Sequence, residues 1–266
     1  MEALQQGVNM PLRFPPVICF RITRSCNARC GFCLAPPDGF HVDGVTLTQR
    51  LDWLLTQGVK TIHFCGGEPT IHPALPLLLE YMHARGRNSR LTTNAIEIPE
   101  NLLQVLRRTG TQVKISLHGS RDHHNSLVGR EAFDYTVDNL RRLLAARVPT
   151  SVQTTVVAGG TWVVDWVAGF CLETGVRRLS ILPFIPRGSG HSRRGEYGLS
   201  SFQRRELRDL VISKRRTLNG RLELRWLDFT ARPIPVVETN GELVLEGATE
   251  GMDRVLCHLP AESHEL

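Results

Sequence analysis

Apolar positions alternate along the chain between short extended runs and helical stripes. Residues 17–23, which follow Pro15 and Pro16, form an apolar extended run. The next stretch puts Leu47, Leu51, Leu54 and Leu55 on one face and meets Gly58, the pattern of an amphipathic helix stopped by glycine. Residues 61–65 read as a second strand, and Leu75, Leu78, Leu79 and Met82 mark the apolar face of the helix after it. A strand at 90–93, a helix at 100–108 and a strand at 112–117 follow. Then come a helical face of Phe133, Val137, Leu140 and Leu144 closed by Val148-Pro149, a strand at 151–157, a helix at 162–174, a strand at 179–184 and a long helix at 200–218. Six strand–helix units in strict alternation predict a parallel sheet with right-handed crossovers. The periodicity fits an open doubly wound sheet and a six-unit barrel equally.

The pattern changes after residue 218. Leu222, Leu224 and Trp226 alternate with Glu223 and Arg225, as in a half-buried strand. Residues 233–239, Asn240-Gly241 and 242–245 predict a hairpin with a type I′ turn. The expected organisation is an N-terminal arm (1–16), a main α/β unit (17–218) and an antiparallel C-terminal β cap (219–266).

Composition narrows the class. The chain has 266 residues, 41% hydrophobic and 22% charged, which suits one large globular domain and excludes a disordered chain. No apolar run approaches the roughly 20 residues of a membrane span, and the first residues lack the features of a signal peptide, so a cytoplasmic protein is expected. The formal charge is +6 with only three lysines, Lys60, Lys114 and Lys214. The other bases are arginines scattered over the predicted helices, with one cluster at Arg187, Arg193 and Arg194. That distribution predicts a solvated surface with one anion-binding loop rather than a nucleic-acid groove.

The cysteines carry the chemistry. Seven are present, an odd number in a chain with no export signal, which argues against a disulfide framework. Three lie in SCNARCGFC directly after the first strand, as Cys26-x3-Cys30-x2-Cys33. Thiolates this close suit a metal or an iron–sulfur cluster. A structural zinc site needs four ligands, and only His41 or Cys19 stands near as an irregular fourth; three thiolates suit a cluster with one open iron. Gly66-Gly67-Glu68-Pro69 ends the second strand. Its glycines permit close approach to the backbone and its glutamate offers an acceptor to an amine. Both motifs fall at carboxyl ends of strands, where barrels and parallel sheets bind ligands.

Together these motifs resemble the radical S-adenosylmethionine (SAM) superfamily, over roughly residues 17–218. The resemblance implies a partial (β/α)6 TIM-like barrel and a [4Fe–4S] cluster held by Cys26, Cys30 and Cys33. It further implies SAM on the fourth iron, a one-electron donor such as flavodoxin or ferredoxin, and a 5′-deoxyadenosyl radical that abstracts a substrate hydrogen. Phe32 matches the aromatic near the SAM adenine, and Gly66, Gly67 and Glu68 match the loop that receives the methionine ammonium. Asn94 lies in TTNA, which resembles the strand-three TNG motif with Ala95 in place of glycine. Ser116 resembles the strand-four serine near SAM, Arg130 the arginine that meets its carboxylate, and Gln153 joins them. His118 stands where many relatives carry aspartate.

The remaining cysteines, at 19, 65, 171 and 257, are isolated, so one cluster is expected. Sixteen residues before the first strand do not build a leader-binding domain, which favours a small polar metabolite over a peptide. His118, His123, His124, Arg187, His191 and Arg193 are the expected substrate-binding groups, the last three in a glycine-rich loop at 185–199. Epimerisation, dehydrogenation or rearrangement is the expected reaction. Epimerisation would require a hydrogen donor, for which Cys257 is favoured if the cap covers the strand ends, with Cys65 second; Cys19 and Cys171 read as core residues. The alternatives are a peptide-modifying enzyme with a separate leader-binding partner, a viperin-like nucleotide dehydratase, and a zinc-binding interaction module built on Cys26, Cys30, Cys33 and His41.

Overall fold

The computed structural model describes residues 14–229 and 233–260; most of the expected N-terminal arm lies outside the described residues. The first half runs β1 (Val17–Thr23), α1 (Gly44–Thr56), β2 (Thr61–Gly66), α2 (Leu75–Ala84), β3 (Asn88–Thr93), α3 (Glu100–Thr109), β4 (Gln112–Ser116), α4 (Arg121–Val128) and α5 (Phe133–Ala145). The second runs β5 (Thr150–Val156), α6 (Val163–Thr174), β6 (Arg178–Pro183), α7 (Ser189–Ser192), α8 (Arg194–Tyr197), α9 (Ser201–Thr217), β7 (Glu223–Trp226), β8 (Ile234–Val237), β9 (Glu242–Glu246) and β10 (Arg254–His258). Local chemistry sets several boundaries. Asp43 caps α1 by accepting from the Thr46 amide at 2.9 Å, and Ser200 with Gln203 forms a capping box at α9, so each satisfies otherwise orphaned amides.

One sheet holds all ten strands, in the order β10-β9-β8-β1-β2-β3-β4-β5-β6-β7. Its helix-facing side is apolar. Ile18, Phe20, Ile22, Ile62, Phe64 and Leu91 are buried with Leu47, Leu51, Leu54, Leu75 and Leu78 in one core. The opposite side is polar, and the sheet curls around it: His63, Arg90, Lys114, Ser151, Ser180 and Arg225, from β2 to β7, line a single cavity. A flat sheet could not bring six successive strands to one cavity. The curl settles the architecture as a partial barrel.

The C-terminal region contains the expected antiparallel group, β8–β9–β10, and also adds strands to the barrel. β7 pairs parallel with β6, and β8 pairs parallel with β1, so these strands extend the barrel at both ends. Only the β8–β9 and β9–β10 pairs are antiparallel. Alternation reveals a strand but not the direction of its partner. The hairpin turn also differs, since the Gly241 amide bonds to the Glu238 carbonyl at 2.9 Å. The turn therefore centres on Thr239-Asn240, and Gly241 takes the left-handed position after it (φ +93°), the bulged form rather than type I′. α4 was not expected; it is short and polar, with its stripe broken by His123, His124 and Asn125.

Candidate active site

The cysteine segment lies between β1 and α1 and is clamped by α4. The Arg29 and Gly31 amides donate to the Val128 and Leu127 carbonyls at 3.0 and 3.2 Å, so the loop satisfies carbonyls that the helix end leaves open. Cys26 and Cys30 pack against Ala28, Ile96, Val128 and Ala132. Burial pushes the Cys26 thiol up to about 11 and raises Cys30 and Cys33 as well, and the nearness of the thiols to one another pushes Cys26 and Cys30 further in the same direction. Buried thiols of this kind become thiolates when a metal supplies the positive charge, which fits an iron–sulfur cluster. They do not assemble with His41. Its Nδ1 is 3.1 Å from Thr23 Oγ1 and its ring lies 5.3 Å from that of His72, tilted by 52°. Among the described residues no three metal-binding side chains converge on a single-ion point. A four-iron cluster spreads its ligands more widely than one zinc ion does.

The GGEP segment ties strand ends together. A Cβ on Gly67 would stand 2.1 Å from the Ser25 carbonyl oxygen, so the glycine is required by contact between the β2 and β1 exits. The expected open approach for a ligand at this face of Gly67 is filled by backbone. Glu68 is 1% exposed. Its Oε1 accepts from the Thr70 amide, Thr70 Oγ1 and Thr93 Oγ1 at 3.0, 2.8 and 2.7 Å, and Oε2 accepts from the Asn94 amide at 2.7 Å. Burial raises its pKa while those donors oppose the rise. Glu68 therefore fixes the β3 exit. Asn94 continues the linkage, donating from Nδ2 to Asn27 Oδ1 in the cysteine loop at 2.8 Å. Ala95 adopts φ +56°, the conformation for which a glycine would be the easier residue.

Other expected SAM-side residues lie around this loop. Phe32 packs beside Leu127, Val157, Phe184 and Tyr197 and meets the His118 ring edge-on at 4.8 Å. His118 is buried, and its Nδ1 accepts from the Thr155 amide at 3.1 Å; desolvation and the neighbouring His124 and His123 hold it neutral, well below the usual histidine range. Ser116 and Gln153 face each other across the β4–β5 pair. Neither side chain has a hydrogen-bond partner among the described residues. Arg130 donates to the Asn27 carbonyl at 2.5 Å and borders a surface cavity with Cys26 and Arg29.

Of the expected substrate groups, His118, His123 and His124 lie together, while the three loop residues do not gather into one set. Arg187 is buried, its two Nη atoms each 2.7 Å from an Asp253 oxygen and one of them 3.1 Å from Glu246. That guanidinium is already paired. His191 is exposed, and Arg193 pairs with Glu196 at 2.9 Å. The glycine-rich loop is seated on the cysteine segment: the Ser189 amide donates to the Cys33 carbonyl at 2.9 Å, and a Cβ on Gly188 would come within 2.4 Å of that oxygen. Cys257 lies on β10 and packs against the helix-side core, so it does not cover the strand ends as expected. Cys65 faces the lumen. Cys19, expected in the core, does too, since it pairs across the sheet with His63 of the cavity wall; contact between the thiols lowers Cys19 and raises Cys65. Sequence reasoning also missed Arg21, which is buried against Glu238 and Glu246. Its polar place in the apolar run VICFRIT was the available signal.

Residues 20–163 match the family described as the Radical SAM superfamily. The chain is 25% identical over 210 residues to an Fe-coproporphyrin III synthase of Methanosarcina barkeri, covering 77% of this chain and 52% of that one. It is 26% identical over 228 residues to the mycofactocin maturase MftC of Mycobacterium tuberculosis, covering 83% and 57%. The chain thus spans about half the length of these relatives. Its fold is similar to that of Streptococcus suis SuiB bound to S-adenosylmethionine, with a TM-score of 0.76, 17% identity and coverage of 87% of this chain and 60% of that one. Among the described residues no helix is long and apolar enough to cross a membrane. The chain belongs to the radical SAM superfamily, whose members use a [4Fe–4S] cluster and SAM and take a substrate and a reducing partner.

Proposed function

We propose that this radical SAM enzyme acts on a small polar metabolite held in the barrel lumen, by epimerisation, dehydrogenation or rearrangement. The observation that carries this reading is the lumen face itself: Ser116 and Gln153 stand opposite each other across the β4–β5 pair without partners among the described residues, and Lys114 and Ser151, two residues earlier on the same strands, line a polar cavity. In this reading Cys26, Cys30 and Cys33 hold the cluster. Phe32, the backbone of Gly66 and Gly67, Ser116, Gln153 and Arg130 line the SAM side, while Glu68 and Asn94 brace it. The cluster and SAM supply reductive cleavage of SAM and hence hydrogen abstraction. A ferredoxin or flavodoxin is the proposed electron donor.

Cys65 is the proposed hydrogen donor for an epimerisation, since it faces the lumen and retains its proton. Giving a hydrogen atom to the substrate radical leaves a thiyl radical, which one electron and one proton return to the thiol. The likeness in fold to SuiB, whose structure is also known bound to the precursor peptide SuiA, favours a second reading, in which a peptide presented by a separate partner enters the same lumen.

Anaerobic reconstitution should yield about four irons per chain. Cys26→Ala, Cys30→Ala and Cys33→Ala should each abolish 5′-deoxyadenosine formation; turnover by the Cys30→Ala protein would refute the ligand assignment. With the substrate in deuterium oxide, an epimerase incorporates one solvent deuterium, and Cys65→Ala stalls after abstraction. A product two hydrogens poorer, formed normally by Cys65→Ala, identifies a dehydrogenase instead.

A further inference from the structure

The lumen floor is cationic in a way no internal pairing explains. Arg90, Lys114, Arg178 and Arg225 reach the same cavity of about 100 Å³ from β3, β4, β6 and β7. One carboxylate serves two of the four: Glu223 pairs with Arg178 at 2.8 Å and with Arg225 at 2.5 Å. Lys114 has no hydrogen bond or ion pair among the described residues. Desolvation lowers its pKa, and Arg90, Arg225 and Arg178 press in the same direction, with only Cys19 opposing them. Lysines that merely solubilise a surface extend into water. This one is held inward, half-buried, beside three guanidinium groups.

We propose that this floor is an anion subsite that takes a carboxylate or phosphate of the substrate, with Lys114 as its central contact. The cavity has the volume of about three waters, enough for one oxyanion group but not for a whole metabolite. Ser180 adds a hydroxyl donor to the same wall, whereas the Ser151 hydroxyl donates to the Val113 carbonyl at 3.2 Å. Lys114 precedes Ser116 by two residues on β4, so the two side chains share a face about 7 Å apart. An anionic group on the floor therefore leaves the adjacent carbon skeleton at the level of Ser116 and Gln153, where the proposed SAM side begins. The subsite rests on the reading that the lumen holds a small metabolite, and it narrows that class to acids and phosphate esters.

The test reads binding without turnover, so its outcome is independent of cluster chemistry. Reconstituted full-length protein is titrated with inorganic phosphate and, separately, with succinate, by calorimetry at low salt. One site per chain is expected for at least one probe; the tighter probe distinguishes a phosphate from a carboxylate subsite. Lys114→Met should weaken that binding at least tenfold and Lys114→Arg should largely preserve it. Arg221→Gln, in a neighbouring groove that Glu223 and Arg225 also line, should change it less than Lys114→Met does. Lys114→Met should also melt at the same or a higher temperature, because it removes an unpaired, desolvated charge. Binding that survives Lys114→Met, or that disappears in Arg221→Gln, overturns the proposal. So does failure of both probes to bind. If phosphate or succinate binds as expected while only a peptide supports deoxyadenosine formation, the subsite stands and the metabolite reading falls.

Discussion

Two groups of charged side chains face the same lumen, and the fold treats them differently. On the β1–β8–β9 wall, Arg21 lies against Glu238 and Glu246, and Arg187 against Glu246 and Asp253. With Arg24, which is 3.5 Å from Glu238, three cations meet three carboxylates. On the floor, Glu223 pairs with Arg178 and Arg225, while Arg90 and Lys114 have no carboxylate partner among the described residues. The wall is where strands from the C-terminal region dock onto the first strand, so its charges carry register and attachment. The floor joins no late element to an early one, and its surplus charge faces a cavity. Pairing thus marks where charge holds the fold together, and surplus marks where it faces a ligand.

The wall yields the largest expected effect. Arg21→Met should cost about 3–5 kcal/mol in denaturant unfolding, since it strands buried carboxylates rather than removing a complete pair. Adding Glu238→Gln should recover part of the loss. A double variant no more stable than Arg21→Met would show that the wall is held by packing instead of charge.

A third group keeps its charge off altogether, and acid should convert it into something like the floor. His118 and His124 stack at 5.6 Å, and burial lowers His124 from 6.5 to about 4, with His123 adding to the effect. A depressed histidine pKa means that the folded state binds the proton less readily than the unfolded chain. The resulting stability is complete above about pH 6.5 and is lost as the pH falls towards 4. The loss should reach at most about 3 kcal/mol, because a tenfold difference in proton affinity between folded and unfolded chains is worth about 1.4 kcal/mol. His118 contributes in the same direction. Unfolding free energies between pH 7 and 4 check this; His124→Gln should flatten the profile, and an unchanged slope would remove His124 as its cause.

These comparisons also show which features the sequence could disclose. The six strand–helix units were legible because each helix buries a stripe such as Leu75, Leu78, Leu79 and Met82 within its own segment. The cysteine triad and GGEP were legible because their residues are contiguous. The wall was not: Arg21 and Glu238 are separated by 217 residues, and nothing local to either names the other. Arg187 was misread for the same reason, as an arginine in a glycine-rich loop whose acids arrive from β9 and the segment before β10. Cys19 reads as a core residue and Lys114 as a surface one because strand alternation assigns two faces without saying which one encloses a cavity.

The smallest expected effect is also the sharpest probe of the floor. Arg178 and Arg225 hold the Glu223 carboxyl below its usual range, yet all three side chains are between 41% and 49% exposed. Such pairs contribute roughly 0–1 kcal/mol, so Glu223→Gln should leave stability nearly unchanged, in contrast to Arg21→Met. Its effect on a bound anion has the opposite sign. Removing a negative charge about 7 Å from the oxyanion, in a water-like dielectric, strengthens attraction by about 0.6 kcal/mol, or roughly threefold in affinity. Phosphate titrations of the parent and Glu223→Gln proteins at low salt measure this directly, and raising the salt should shrink the gain. If Glu223→Gln instead weakens phosphate binding, the glutamate is positioning the arginines as the wall carboxylates do, and the distinction between paired wall and open floor fails at that residue.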